Sequence, residues 1–216
     1  MKHTFRKATI ILAAFAVWTF VVLTIDVQPI GPFQSTVGLA EINGFFHKLT
    51  GLHMWLYHLT DNLSIIPLGI VLGFAMIGLI QWLQRKKLKL VDHDILVLGC
   101  FYTVVMTAYI LFEICIVNYR PVLIDGILEA SYPSSTTMLV MCVIPTARMQ
   151  INTRVKNRCI GRFLTLIMGS FLIFMVIARL LSGVHWLTDI IGGALLSTGL
   201  VVLYDAVCTF VKKSAL

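Results

Sequence analysis

Residues 178–189 read ARLLSGVHWLTD. Arg179 closes one long apolar run, and His185 and Asp189 open the next. Charged side chains at a membrane boundary are costly and need partners or a function. The stretch therefore marks the junction of two membrane spans and a chemical site. Its arginine suits an anion, its histidine can act as nucleophile or base, and its aspartate can orient the ring.

The composition around it agrees. The chain has 216 residues, 58% of them hydrophobic and only 12% charged. A soluble domain of this size carries about 25% charged residues. The apolar residues fall in long blocks, which predicts an all-α polytopic membrane protein, with residues 1–216 forming one membrane-embedded domain. The formal charge of +7 does not indicate nucleic acid. Membrane proteins concentrate Lys and Arg in cytoplasmic loops, so position matters more than the sum. Cys100, Cys115, Cys142, Cys159 and Cys208 are scattered, with no CxxC pair or Cys/His cluster. They read as small buried apolar residues, without a metal site or disulfide framework.

Residues 8–25, ATIILAAFAVWTFVVLTI, form a run of 18 behind a basic N-terminus. That is long enough to span at about 1.5 Å per residue, and it reads as an uncleaved first helix. After the Pro/Gly-rich segment at 27–35, Val37, Leu39, Ile42, Phe45, Phe46 and Leu49 are spaced for a short amphipathic helix on the outer membrane surface. His47, His53 and His58 read as interfacial polar residues rather than metal ligands. Further spans are predicted at 62–83, 95–117, 135–147, 163–181 and 187–211, giving a bundle of six transmembrane helices. A polar hairpin, VLIDGILEASYPSST, joins the third and fourth. Gly192 and Gly193 read as close helix packing, with a midplane transport site the less favoured alternative.

The cations test this layout. Residues 2, 6, 7, 85, 86, 87, 89, 148, 154, 156, 158, 162, 212 and 213 all fall on the side of the termini. Lys48 falls in an ordinary outer segment, and Arg120 and Arg179 lie near the outer ends of spans. The positive-inside rule then places both termini in the cytoplasm, and isolates two arginines that need another explanation.

Four groups converge at that outer boundary: Arg120; Ser134, Ser135 and Thr136; Arg179; and His185 with Asp189. Guanidinium groups hold phosphoryl oxygens with paired hydrogen bonds and stay charged at any working pH. Ser134 to Thr136 open a helix, whose free N–H groups and dipole favour an anion. His185 and Asp189 are four apart, so on a helix the carboxylate can hold the imidazole in one tautomer and leave its other nitrogen free to attack phosphorus. The alternative is structural: Arg179 pairs with Asp189, and Arg120 caps a helix.

These residues resemble the motifs of the type-2 phosphatidic acid phosphatase superfamily of membrane lipid phosphatases. Its third motif, Ser-Arg, five residues, His, three residues, Asp, is matched by Arg179, His185 and Asp189, with Ala178 in place of the serine. Its first, Lys, six residues, Arg-Pro, is half matched by Arg120-Pro121. Its second, Pro-Ser-Gly-His, is present as Pro133-Ser134 followed by Ser135 and Thr136. The resemblance implies a phosphohistidine mechanism without metal or cofactor. His185 is then the nucleophile, Asp189 its orienter, and Arg120, Arg179, Ser134 and Ser135 bind phosphate. The substrate is a lipid phosphate or diphosphate among the membrane lipids at the outer face.

Two positions depart from the pattern. Glu113 stands where the family has lysine. Thr136 stands where it has the histidine that protonates the leaving group, and such help is worth about 10²–10⁴ in rate. One reading is a lipid diphosphatase, whose phosphate monoester leaving group needs little acid help. Alternatively Glu113, Asp125 or Glu129 supplies the proton, Glu113 being the preferred of the three. The other reading is a degenerate site that binds or carries a lipid phosphate without hydrolysing it. The short loops suit a bacterial plasma membrane protein.

Overall fold

The computed structural model describes residues 2–214. Met1 and residues 215–216, at the ends of the predicted cytoplasmic termini, lie outside them. Eight α-helices occur among the described residues: α1 Lys2–Thr24, α2 Ala40–Thr50, α3 Met54–Leu63, α4 Ile65–Arg85, α5 His93–Ile114, α6 Ser135–Arg154, α7 Arg158–Leu181 and α8 Leu187–Ser214. The fold is the expected all-α membrane bundle with a short amphipathic helix, α2, after the first span.

Among the described residues, five helical stretches are long and apolar enough to cross a membrane, with α3 and α4 forming one of them, Met54–Arg85. α6 is not among them, and the packing explains why. Ten of its 20 residues are buried, including Thr136, Thr137, Thr146 and Gln150. It is sheathed by α4, α5, α7 and α8. A helix surrounded by protein needs no lipid-soluble surface. Two of its polar side chains find partners inside: Thr146 Oγ1 donates to Cys142 O at 2.7 Å, and Gln150 Nε2 donates to Tyr204 Oη at 2.6 Å.

α6 runs to Arg154, seven residues past the predicted end of the fourth span, with Pro145 accommodated inside the helix. The second span begins earlier than predicted, because Met54–Leu63 is already helical and only Ser64 separates α3 from α4. α5 ends at Ile114, so Val117 and Arg120 belong to the following loop. That loop is the predicted hairpin. Tyr119 bridges Ala130 and Ile124 bridges Ile127, with Asp125 and Gly126 turning the chain at positive φ.

α8 is the axis of the bundle and packs on α1, α5 and α6. Phe15 and Val22 of α1, Leu98 and Phe101 of α5, Met138 and Cys142 of α6, and Leu196 and Leu200 of α8 share one core. Gly192 lets this axis come close to the loop before α6. A Cβ there would lie 2.6 Å from the Tyr132 ring. Close packing is therefore what Gly192 serves.

Candidate active site

The turn between α7 and α8 fixes the histidine. Gly183 sits at φ 72°, and a Cβ on it would meet Gly51 O at 2.2 Å, so both the backbone and the space require glycine. The neighbouring Ser182 O accepts a hydrogen bond from His53 N at 2.9 Å. The turn is thereby stitched to the loop between α2 and α3, and His185 is 3% exposed.

Asp189 lies in the first turn of α8, three residues after Trp186. Trp186 N donates to its Oδ2 at 2.9 Å, the back-bond of a capping box. Asn118 Nδ2 donates to Oδ1 at 3.2 Å. Oδ2 also faces His185 Nδ1 at 3.6 Å. Both carboxylate oxygens are thus held, one by the helix terminus and one by a loop amide. Behind them, Asn43 of α2 exchanges hydrogen bonds with Thr188: Asn43 Nδ2 donates to Thr188 Oγ1 at 3.0 Å, and Thr188 N to Asn43 Oδ1 at 3.2 Å.

On its other side, His185 Nε2 lies 3.4 Å from Arg120 Nη1. Guanidinium can only donate, so Nε2 is the acceptor and Nδ1 carries the proton toward Asp189. Burial holds the His185 pKa well below the ordinary 6.5, and the positive charges of Arg120 and Arg179 push the same way, against a weaker interaction with the Ser131 backbone. The ring is neutral at pH 7, which is the nucleophilic form.

Arg120 is 7% exposed and pairs with Glu129, Nε to Oε2 at 2.9 Å. Arg179 is 1% exposed. Its Nη1 donates to Thr60 Oγ1 at 3.1 Å, and its guanidinium lies over the Tyr57 ring. Neither arginine forms an ion pair with Asp189 or Glu113 among the described residues. The structural alternative for Arg179 and Asp189 therefore fails on geometry, and Arg120 lies five residues beyond Cys115, the C-cap of α5, with Glu129 and His185 as its partners. Ser134 precedes α6 with its Oγ buried and making no hydrogen bond within the protein, as is Arg179 Nε.

Glu113 and Thr136 fall on two adjoining recesses. Glu113 shares a narrow recess with His185, Tyr132 and Ser135. Thr136 lies in a groove of about 370 Å³ with Asp61, Ser64, Ser135 and Tyr109. The groove runs between α4 and α5 over α6 to Val71, Tyr102 and Met106, where a second groove of about 580 Å³ continues to Trp82 and Leu88. An apolar furrow thus leads from the polar end of the site along the bundle. The three histidines of the second segment are dispersed, with His47 against the Trp186 ring and His58 against Tyr57.

The sequence reading missed Tyr57, Thr60, Asp61, Asn43 and Asn118. The first three lie at i, i+3 and i+4 of α3, one line along a short helix that also carries His58 and Asn62, and that spacing was the available signal. Asn118 stands two residues before Arg120, but nothing local to it announces a bond 71 residues away.

Residues 112–210 match the family model described as the PAP2 superfamily, and that segment contains Glu113, Arg120, Ser134, Arg179, His185 and Asp189. This match, with the motif residues it contains, supports assignment of the segment to the PAP2 superfamily. The fold is similar to the crystal structure of a transmembrane PAP2-type phosphatidylglycerolphosphate phosphatase from Bacillus subtilis, with a TM-score of 0.68 and 17% identity over 94% of this chain and 96% of that one. A search of curated proteins found no match.

Proposed function

We propose that the chain hydrolyses a lipid phosphate, with lipid diphosphates preferred, at the outer face of a bacterial plasma membrane, with both termini cytoplasmic. The observation that carries this is the buried row Asp189, His185, Arg120: a neutral imidazole with a carboxylate behind Nδ1 and a guanidinium at Nε2.

His185 Nε2 attacks phosphorus. The Nε2–P bond forms as the bond from phosphorus to the lipid oxygen breaks, and the Nδ1 proton stays with the ring, facing Asp189. Water then attacks the phosphohistidine, the Nε2–P bond breaks, and inorganic phosphate leaves. Arg120, Arg179, Ser134, Ser135 and the first-turn N–H groups of α6 hold the phosphoryl oxygens. The acyl chain follows the furrow between α4 and α5. With Thr136 in the place of an acid, a lipid phosphate is a better leaving group than an alkoxide. Glu113, which shares the recess with His185, is the carboxyl placed to supply a proton. The match of residues 112–210 to the PAP2 superfamily model supports a phosphatase reading, and the similarity to the fold of a membrane phosphatase agrees with it.

The alternative is a site that binds lipid phosphate without turnover, and the observation in its favour is Thr136 itself. Phosphate release from a panel of lipid mono- and diphosphates separates the two. The expected result is release that is highest with diphosphates and abolished in His185→Ala. In Thr136→His, release from monophosphates rises. Release that is absent with every substrate, or equal in His185→Ala, would leave only the binding reading.

A further inference from the structure

We propose that Tyr57 is a positioning residue for the phosphate site, with its ring face holding Arg120 and Arg179 side by side. The inference rests on the reading of those arginines as phosphate ligands. Arg179 Cζ lies 4.8 Å from the ring centroid and Arg120 Cζ lies 5.9 Å from it. Both are within the roughly 6 Å over which a guanidinium is attracted to an aromatic face.

The arrangement solves a physical problem. Two guanidinium groups that share a phosphate must approach one another, and each repels the other. Arg179 is 1% exposed, and no carboxylate pairs with it among the described residues. A carboxylate in direct contact would neutralise the charge that the phosphate needs and would compete for the same N–H groups. A π face attracts the cation without taking its hydrogen bonds. Thr60 Oγ1 takes one Arg179 donor at 3.1 Å, and Asp61 interacts with Arg179 through space. Tyr57, Thr60 and Asp61 lie on one side of α3, as residues three and four apart do. This helix lies outside the segment matched by the family model, 112–210. It supplies Arg179 with neighbours that the matched segment does not, and gives Arg120 a ring face beside its ion pair with Glu129 of that segment.

The test is binding of orthovanadate, a phosphate mimic, to the purified full-length protein in lipid nanodiscs. Wild type binds, Tyr57→Phe binds within about threefold of it, and Tyr57→Leu binds about tenfold more weakly. A series of fluorinated phenylalanines at position 57 keeps the shape and removes negative charge from the ring face, so affinity falls stepwise with each added fluorine. Flat affinity across that series overturns the proposal even if Tyr57→Leu does not fold, because packing alone would survive fluorination. So does a Tyr57→Phe loss as large as that of Tyr57→Leu, which would assign the effect to the hydroxyl. Wild type that binds no vanadate would remove the phosphate site itself and the clamp with it.

Discussion

At the scale of single residues, the site is defined by where protons sit. His185 is buried between two arginines and an aspartate, and its pKa is held below 6.5. The unfolded chain therefore takes up a proton below pH 6.5 that the folded chain refuses. The contribution of His185 to stability is level above 6.5 and is lost as the pH falls through that value toward the lower folded-state pKa. Unfolding midpoints measured between pH 5 and 8 should show this loss, and His185→Gln should reduce it. The acid limb of the rate profile should likewise fall below 6.5. Asn118 makes the second residue-scale prediction. Its amide fixes Asp189 Oδ1 at 3.2 Å, so Asn118→Ala should lower kcat by about 10–100-fold and leave KM within about threefold, because orientation of the nucleophile through Asp189 is felt in the transition state. Initial rates over substrate concentration decide between that split and a common loss of both. Arg179, His185 and Asp189 were legible because their order and spacing are local. Asn118 and Tyr57 were not, because their contacts join segments far apart in sequence.

At the scale of elements, α8 and the loop before α6 carry the geometry. Ser134 N donates to Asp189 O at 3.1 Å, tying the start of α6 to the start of α8. Gly192 brings the same two elements together through Tyr132, whose hydroxyl meets Thr19 Oγ1 at 2.7 Å. Gly192→Leu inserts bulk into this contact and should cost about 1–3 kcal/mol, the usual range for overpacking. Thermal unfolding in nanodiscs measures it, and a midpoint equal to wild type would show that the helices can part freely. Helix existence was legible from long apolar blocks, which are the direct print of lipid contact. Boundaries were less so. The polar C-terminal turns of α6 resemble a loop in sequence, yet Arg154 pairs with Asp94 at 3.0 Å and secures the helix there. α3 was hidden because its line of Tyr57, Thr60 and Asp61 interrupts the apolar run that marks a span.

At the scale of the whole molecule, charge and packing divide the work. Fourteen cations lie at the end of the bundle that holds the chain termini, and Arg120 and Arg179 are the arginines buried at the other. The account predicts that a cysteine placed at Lys48 reacts with a membrane-impermeant maleimide in intact cells, and that one at Lys87 reacts only after lysis, both in a background without the native cysteines. The reverse pattern would put the site on the inner face. Composition made the membrane class readable, since 12% charged residues cannot cover a soluble surface of this size. The furrow between α4 and α5 was beyond sequence reading, because it arises from the spacing between helices.

The central claim is that His185 becomes covalently phosphorylated. Wild-type protein in nanodiscs would be incubated with a lipid diphosphate labelled with ³²P at its terminal phosphate, then quenched in alkali. The account predicts a labelled protein that is stable in base, loses its label in acid, and is absent in His185→Ala. Turnover of the same substrate with no label trapped on wild type under rapid quench, or with equal label on His185→Ala, would contradict it.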